Sequence, residues 1–167
     1  MDTIERHTIA ALVENEPGVL ARVIGLFSGR GYNIESLTVA PVTPDESMSR
    51  ISIVTSGTPM IIEQIKAQLN RLVPIASVHD LTADGPHVER EFALVKVVAS
   101  GANRRESLRI ADIFHAHVAD TTIESFVFSL TGQRDKIESF VELMRALGDV
   151  EVARSGVVAI ARGSKVL

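Results

Sequence analysis

The 167-residue chain contains no cysteine and no tryptophan, and aromatic residues make up only 4% of it. Without cysteine there can be no disulfide, no thiolate metal site and no cysteine nucleophile. The scarcity of aromatics predicts a core of aliphatic side chains. With 46% hydrophobic and 23% charged residues, the composition is that of a globular protein, and the length suits one ordinary domain or two small ones.

An excess of positive charge is also missing, since the formal net charge is −4. Nucleic acids and anionic membranes are bound through clustered Lys and Arg, so neither is expected as a partner. The opening residues lack a basic stretch followed by an apolar run, and no later hydrophobic run is long enough to span a bilayer. We therefore expect a cytoplasmic protein.

Side-chain combinations that support catalysis are not found in the sequence. There is no Gly-x-Ser-x-Gly element, and no histidine has the Ser and carboxylate spacing of a triad. His115 and His117 are two positions apart, so on a helix they face different directions and cannot share a metal. Glu89 and Glu91 are interpreted as solvated carboxylates. Three arginines at a predicted helix start are interpreted as a solvated face, with an anionic partner as the alternative: Arg104, Arg105 and Arg109.

The most distinctive stretch of the chain is 14–37, which reads as strand end, turn, helix and second strand. Pro17 suits the first helical position, and Gly29 or Gly31 can supply the positive φ that ends a helix. Between them, apolar residues recur with a 3.6-residue period, which predicts one buried helix face. These residues are Val19, Leu20, Val23, Ile24 and Phe27.

The start of this helix has the features of a receptor for a free α-amino acid. The N–H groups of Gly18, Val19 and Leu20 are predicted to be unpaired at the positive end of the helix dipole, where a carboxylate would fit. Gly18 has no Cβ, so a ligand could approach its backbone closely. The amides of Asn15 and Asn33 could accept hydrogen bonds from an ammonium group. Ordinary turn and capping chemistry is the open alternative.

The order of predicted elements is βαββαβ, and it occurs twice. Strands are predicted at 7–13, 33–40, 50–55 and 74–81, and the right-handed crossover rule folds them into a four-stranded antiparallel sheet with two helices on one face. The fold class is therefore α+β, with two ferredoxin-like βαββαβ sandwiches. We expect domains at 1–82 and 91–167, joined by a linker at 83–90. The second sheet face and the edge strands are expected to be uncovered, which favours a homodimer.

Four blocks of sequence, at 14–18, 22–39, 87–91 and 151–159, resemble one known family. The chain is similar to the small regulatory subunits of acetolactate synthase (acetohydroxyacid synthase), and its first half resembles an ACT domain. The resemblance covers nearly the full length, and the 22–39 block is far longer than a short motif.

This resemblance implies a non-catalytic chain that binds and activates the large catalytic subunit. It also implies feedback inhibition by valine, or another branched-chain amino acid, in the biosynthesis of valine, isoleucine and leucine. Thiamine diphosphate, magnesium and FAD would belong to the large subunit, and no cofactor or metal to this chain. In the family the effector lies between two ACT domains, and the matching residues are Asn15, Gly18, Val19 and Leu20 of one subunit and Asn33 and Ile34 of its mate. The surface that contacts the large subunit stays open, with the 41–49 connection and the ACT sheet edge as candidates.

Three other classes of protein are alternatives for a chain of this fold. A ferredoxin-like RNA-binding module needs exposed aromatics on its central strands and basic surroundings, and the strands at 7–13 and 50–55 have no aromatic residue. A small enzyme on the same fold would be revealed by turnover. An ACT protein that senses an amino acid for another enzyme would be revealed by its partner.

Overall fold

A computed structural model describes residues 3–167 of the chain. Its elements, in chain order, are β1 (Glu5–Glu14), α1 (Val19–Arg30), β2 (Ser36–Pro41), β3 (Met48–Gly57), α2 (Pro59–Asn70), β4 (Ile75–Asp80), α3 (Leu81–Asp84), β5 (His87–Val98), α4 (Gly101–Ile113), β6 (His117–Thr121), β7 (Ser125–Gly132), α5 (Arg134–Arg145) and β8 (Asp149–Ala161). The chain divides into two compact units, one formed by Met1–Val88 with Val157–Leu167 and the other by Glu89–Gly156.

The sheet of the first unit has the strand order β2-β3-β1-β4, and β1 runs antiparallel to both of its neighbours. In the register of β1 and β3, Ile9 lies opposite Ile53 and Ala11 lies opposite Ile51. The core side of this sheet packs against helix residues of α1 and α2 in an almost entirely aliphatic cluster. This topology confirms the predicted ferredoxin-like sandwich of the ACT type.

The second unit repeats the topology with the strand order β6-β7-β5-β8. Its core differs from the first, because Phe126, Phe128 and Phe140 are all buried in it. The rings of Phe128 and Phe140 meet edge to face with centroids 5.9 Å apart. The prediction of an aliphatic core is therefore wrong for this unit, where most of the few aromatics are concentrated.

Local signals in the sequence set most of the ends of α1 and α2. Gly31 ends α1 with φ +70, and Thr58 caps α2, where Pro59 is the first helical residue. Contrary to the prediction, Pro17 is not the first residue of α1. The chain turns through Gly18 at φ +87, and because this left-handed residue cannot belong to the helix, α1 begins only at Val19.

Three strand boundaries differ from the sequence interpretation. β2 begins at Ser36, three residues later than predicted. The β-branched and aliphatic run at 92–99 predicts a strand that begins at Phe92, but β5 begins five residues earlier, at His87. Near the end of the chain the sequence predicts two short strands, at 150–153 and 157–160, but these residues form one strand, β8, which passes through Gly156 at φ +86. Residues 83–90 contain the end of α3 and the start of β5.

The outer face of the first sheet is partly covered, whereas it was expected to be bare. Here the residues from Val157 onward pack against it. The Ser36 hydroxyl accepts from the Val157 N–H at 2.7 Å, and Arg50 Nη2 donates to the Ala159 carbonyl at 2.8 Å. Ala10 and Leu81 are buried against Ala159 in a small apolar cluster. Within the described residues the two sheet edges, β2 and β4, have no further strand beside them.

Candidate functional site

The turn between β1 and α1 presents backbone donors in an open position. A Cβ added at Gly18 would have no atom within 4 Å beyond its chain neighbours, so the space above this residue is free. The Val19 N–H makes only a long hydrogen bond, 3.4 Å, to the Glu16 carbonyl. Among residues 3–167 the N–H groups of Gly18 and Leu20 have no hydrogen-bond partner, and no side chain caps the helix. This turn can therefore donate to a carboxylate.

Asn15 is exposed and lies at the start of this turn, directly after β1. Its N–H donates to the Ser47 carbonyl and its side-chain Nδ2 to the Glu46 carbonyl, both at 2.8 Å. Because a carbonyl oxygen can only accept, the amide nitrogen must face Glu46. The Asn15 Oδ1 is then the atom left to accept from a ligand. No local signal in the sequence indicates this contact, which spans 31 positions.

Asn33 and Ile34 lie just before β2. The Asn33 side chain is exposed, while its carbonyl accepts a 2.6 Å hydrogen bond from the Thr55 hydroxyl. Ile34 is half-buried and packs against the core of the first unit. The amide of Asn33 is therefore presented to solvent on a backbone that the Thr55 bond holds in place.

The predicted apolar face of α1 is only partly buried. Val19, Val23 and Phe27 lie in the core, but Leu20 and Ile24 are each 39% exposed. The five residues span more than one side of the helix, and the sheet covers only one of those sides. The exposed pair, one helical turn apart, leaves an apolar surface beside the open space at Gly18.

The six residues predicted to bind an effector therefore fall into two segments of the first unit. Four belong to the turn before α1 and its first residues, and two to the segment before β2. Val19 has its side chain in the core, so only its backbone can face a ligand. Beside the turn, hydrogen bonds from Ser47 and then Thr43 lower the pKa of Asp45 to about 2. The neighbouring loop therefore remains anionic.

The other candidate side chains have structural roles. Arg104 donates to the Thr122 carbonyl at 2.8 Å and stacks 4.1 Å from the Phe126 ring centroid. Arg109 pairs with Glu106 of its own helix at 2.9 Å. The Arg109 side chain is 64% exposed, which agrees with its interpretation as part of a solvated face.

Two buried side-chain contacts were missed by the sequence interpretation. Glu91 is not solvated as predicted: its side chain is 5% exposed and accepts from Arg154 at 2.6 and 2.7 Å. In the first unit, His7 Nδ1 lies 2.8 Å from a carboxylate oxygen of Asp80, whose other oxygen caps α3. No group of three His, Asp or Glu side chains within 3–167 is placed to hold a metal ion.

Comparison with known proteins covers both halves of the chain. Residues 9–77 match a family model described as an AHAS small subunit-like ACT domain, and residues 90–163 match one described as the small subunit of acetolactate synthase. The chain belongs to the acetolactate synthase small-subunit family. The ACT match includes both segments of the candidate site.

Individual members of the acetolactate synthase small-subunit family resemble the chain over nearly its whole length. The acetolactate synthase isozyme 3 small subunit of Salmonella typhimurium is 48% identical over 163 residues, which cover 97% of this chain and 99% of the relative. A probable acetolactate synthase small subunit of Archaeoglobus fulgidus is 46% identical over 160 residues, covering 96% and 99%. The crystal structure of the acetolactate synthase small subunit of Thermotoga maritima superposes with a TM-score of 0.84 at 35% identity, covering 96% of this chain and 99% of that one.

None of the helices within residues 3–167 has both the length and the apolar character that crossing a bilayer requires.

Proposed function

We propose that this chain is the regulatory subunit of an acetolactate synthase. It binds the large catalytic subunit, raises its activity, and makes it subject to feedback inhibition by valine in branched-chain amino-acid biosynthesis. The observation that carries the proposal is that both units match small-subunit family models, and that one of these is an ACT domain. The chain is not the catalyst, and thiamine diphosphate, magnesium and FAD are assigned to the large subunit.

The effector site is formed between the ACT domains of two copies in a homodimer. The N–H groups of Gly18 and Leu20 donate to the valine carboxylate, since both are unpaired and the space above Gly18 is open. Asn15 Oδ1 and the amide oxygen of Asn33 of the partner subunit accept from the valine ammonium group. The exposed Leu20 side chain contacts the isopropyl group.

Exposed surfaces in the first unit support the homodimer. Leu20 and Ile24 present apolar area that the chain does not cover, and β2 has an open edge. A second copy would remove both from water. A ligand shared between two copies stabilises one arrangement of the dimer over another, and such couplings are typically about 1 to 3 kcal/mol. Valine can in this way alter a bound catalytic subunit.

The proposal is tested by calorimetric titration of valine into the purified chain and three asparagine variants. Asn15→Ala and Asn33→Ala each remove an acceptor for the ammonium group, so saturable binding should be lost in both. Asn70→Ala is the matched control, because Asn70 is an exposed asparagine at the end of α2. Glycine and glutamate serve as ligand controls. Equal valine binding by all four proteins would show that the site lies elsewhere.

A further inference from the structure

Asn15 joins the candidate site to the loop between β2 and β3, residues 42–47, which we name the β2–β3 loop. Two hydrogen bonds of 2.8 Å make this connection, one from the Asn15 backbone to Ser47 and one from its side chain to Glu46. Within the described residues the loop is the segment to which the Asn15 side chain hydrogen-bonds. A movement of this amide therefore changes its hydrogen bond to the Glu46 carbonyl.

The β2–β3 loop has one well-defined shape. Asp45 Oδ1 accepts from the Ser47 N–H and hydroxyl at 3.2 and 2.7 Å, and the Thr43 hydroxyl accepts from the Met48 N–H at 3.1 Å. Glu46 adopts φ +56, a conformation that residues other than glycine rarely take. Asn15 donates to the carbonyl of this same residue. The side chain of Asn15 thus holds the loop at its least favourable backbone conformation.

The loop is also accessible to another protein. Val42 is 50% exposed, and the residues from Pro44 to Ser47 are exposed as well. Asp45 and Glu46 place acidic side chains at its tip. A loop that is ordered from within and open to solvent can be recognised by a partner in one conformation and not in another.

We infer that Asn15 is a positioning residue that links effector occupancy to the β2–β3 loop, and that this loop transmits the valine signal to the large subunit. The inference rests on the proposed function, because it assigns the output of the same site. Asn15 Oδ1 meets the effector while Nδ2 holds Glu46, so a single planar amide carries both contacts. An ammonium group at Oδ1 polarises the amide and strengthens the Nδ2–H bond to the loop.

Asn15→Asp separates the two contacts. Aspartate keeps an acceptor for the ammonium group but cannot donate to the Glu46 carbonyl. Asn15→Ala loses both contacts and serves as the comparison. Ser47→Ala provides a second route, since it removes the hydroxyl bond to Asp45 inside the loop and leaves every Asn15 bond in place.

Three readouts are made on the full chain: valine calorimetry, hydrogen exchange of the amides at 45–48, and valine inhibition of the complex with the large subunit. In the unmodified chain, valine should slow exchange in the loop. Asn15→Asp and Ser47→Ala should still bind valine saturably, yet at saturating valine the inhibition that they confer should be weaker by at least about fivefold. Asn15→Ala should lose binding and inhibition together.

Two results would overturn the inference while leaving the proposed function intact. One is inhibition in Asn15→Asp equal to that of the unmodified chain, and the other is loop exchange that valine does not change although it binds. A chain that binds no valine, or that leaves the large subunit unaffected, would instead overturn the proposed function and the inference with it. The unmodified protein is therefore measured before the variants.

Discussion

Breaking the buried ion pair between Glu91 and Arg154 should show how strongly the stability of the second unit depends on Arg154. Glu91 is 5% exposed and receives two hydrogen bonds from a guanidinium that is 35% exposed. These hydrogen bonds also raise the pKa of Arg154 above its ordinary value, so the guanidinium stays charged. Arg154→Met keeps the aliphatic stem but strands a buried carboxylate.

The expected loss follows from this difference in burial. Breaking a buried ion pair costs about 3 to 5 kcal/mol, and water reaching the exposed third of the arginine reduces the value to about 2 to 3 kcal/mol. Replacing Glu91 should cost less, because the partly exposed Arg154 side chain can rotate towards solvent and be hydrated. We therefore expect Arg154→Met to be more destabilising than Glu91→Leu, and the double variant to recover much of the loss, since two apolar residues need no partner.

Guanidinium unfolding followed by circular dichroism measures these free energies. The slope of the transition is compared between variants to check that the unfolded state is unchanged. A loss below about 1 kcal/mol in Arg154→Met would place the pair among ordinary surface ion pairs. A double variant as unstable as the sum of the single ones would contradict the account in which an unpaired carboxylate causes the damage.

Two further predictions concern single sites. The pKa of Asp45 is lowered from 3.8 to about 2, chiefly by the Ser47 hydroxyl. Its contribution to the stability of the loop is therefore present above pH 3.8 and is lost as the pH falls towards 2. Carbon NMR of the carboxyl should show no titration above about pH 3, and a midpoint near 4 would refute this. In Gly148→Ala the new Cβ would lie 2.0 Å from the Val98 carbonyl oxygen, so the variant should lose about 1 to 3 kcal/mol by chemical unfolding. Gly29→Ala, with nothing within 4 Å, is the control, and equal stability of the two would contradict the clash.

Much of the fold was predictable because its signals are local. The turn between β1 and α1 and the positive φ of Gly31 are read from neighbouring residues, and the order of strands and helices follows from hydrophobic periodicity. Glu91 could also have been placed correctly. The buried positions of β5 are odd-numbered, as at Ala93 and Val95, and extending this alternation backwards puts Glu91 on the same face.

The remainder depends on contacts between distant residues. Nothing near Asn15 in the sequence indicates that it donates to Glu46, and nothing near Val157 indicates that it meets the Ser36 hydroxyl. The exposure of Leu20 follows from how far the sheet extends over α1, which helical periodicity does not define. The sequence could therefore name the residues of the candidate site, but not its connection to the β2–β3 loop.

The proposed regulatory role is tested most directly by adding the chain to the purified large subunit of acetolactate synthase from the same organism. Acetolactate formation is measured as the amount of added chain increases, with and without valine. We predict that activity rises to a plateau as the subunits associate, and that valine lowers this plateau without affecting the large subunit alone. Activity that does not change with the added chain, or a plateau that valine does not lower, would contradict the proposal.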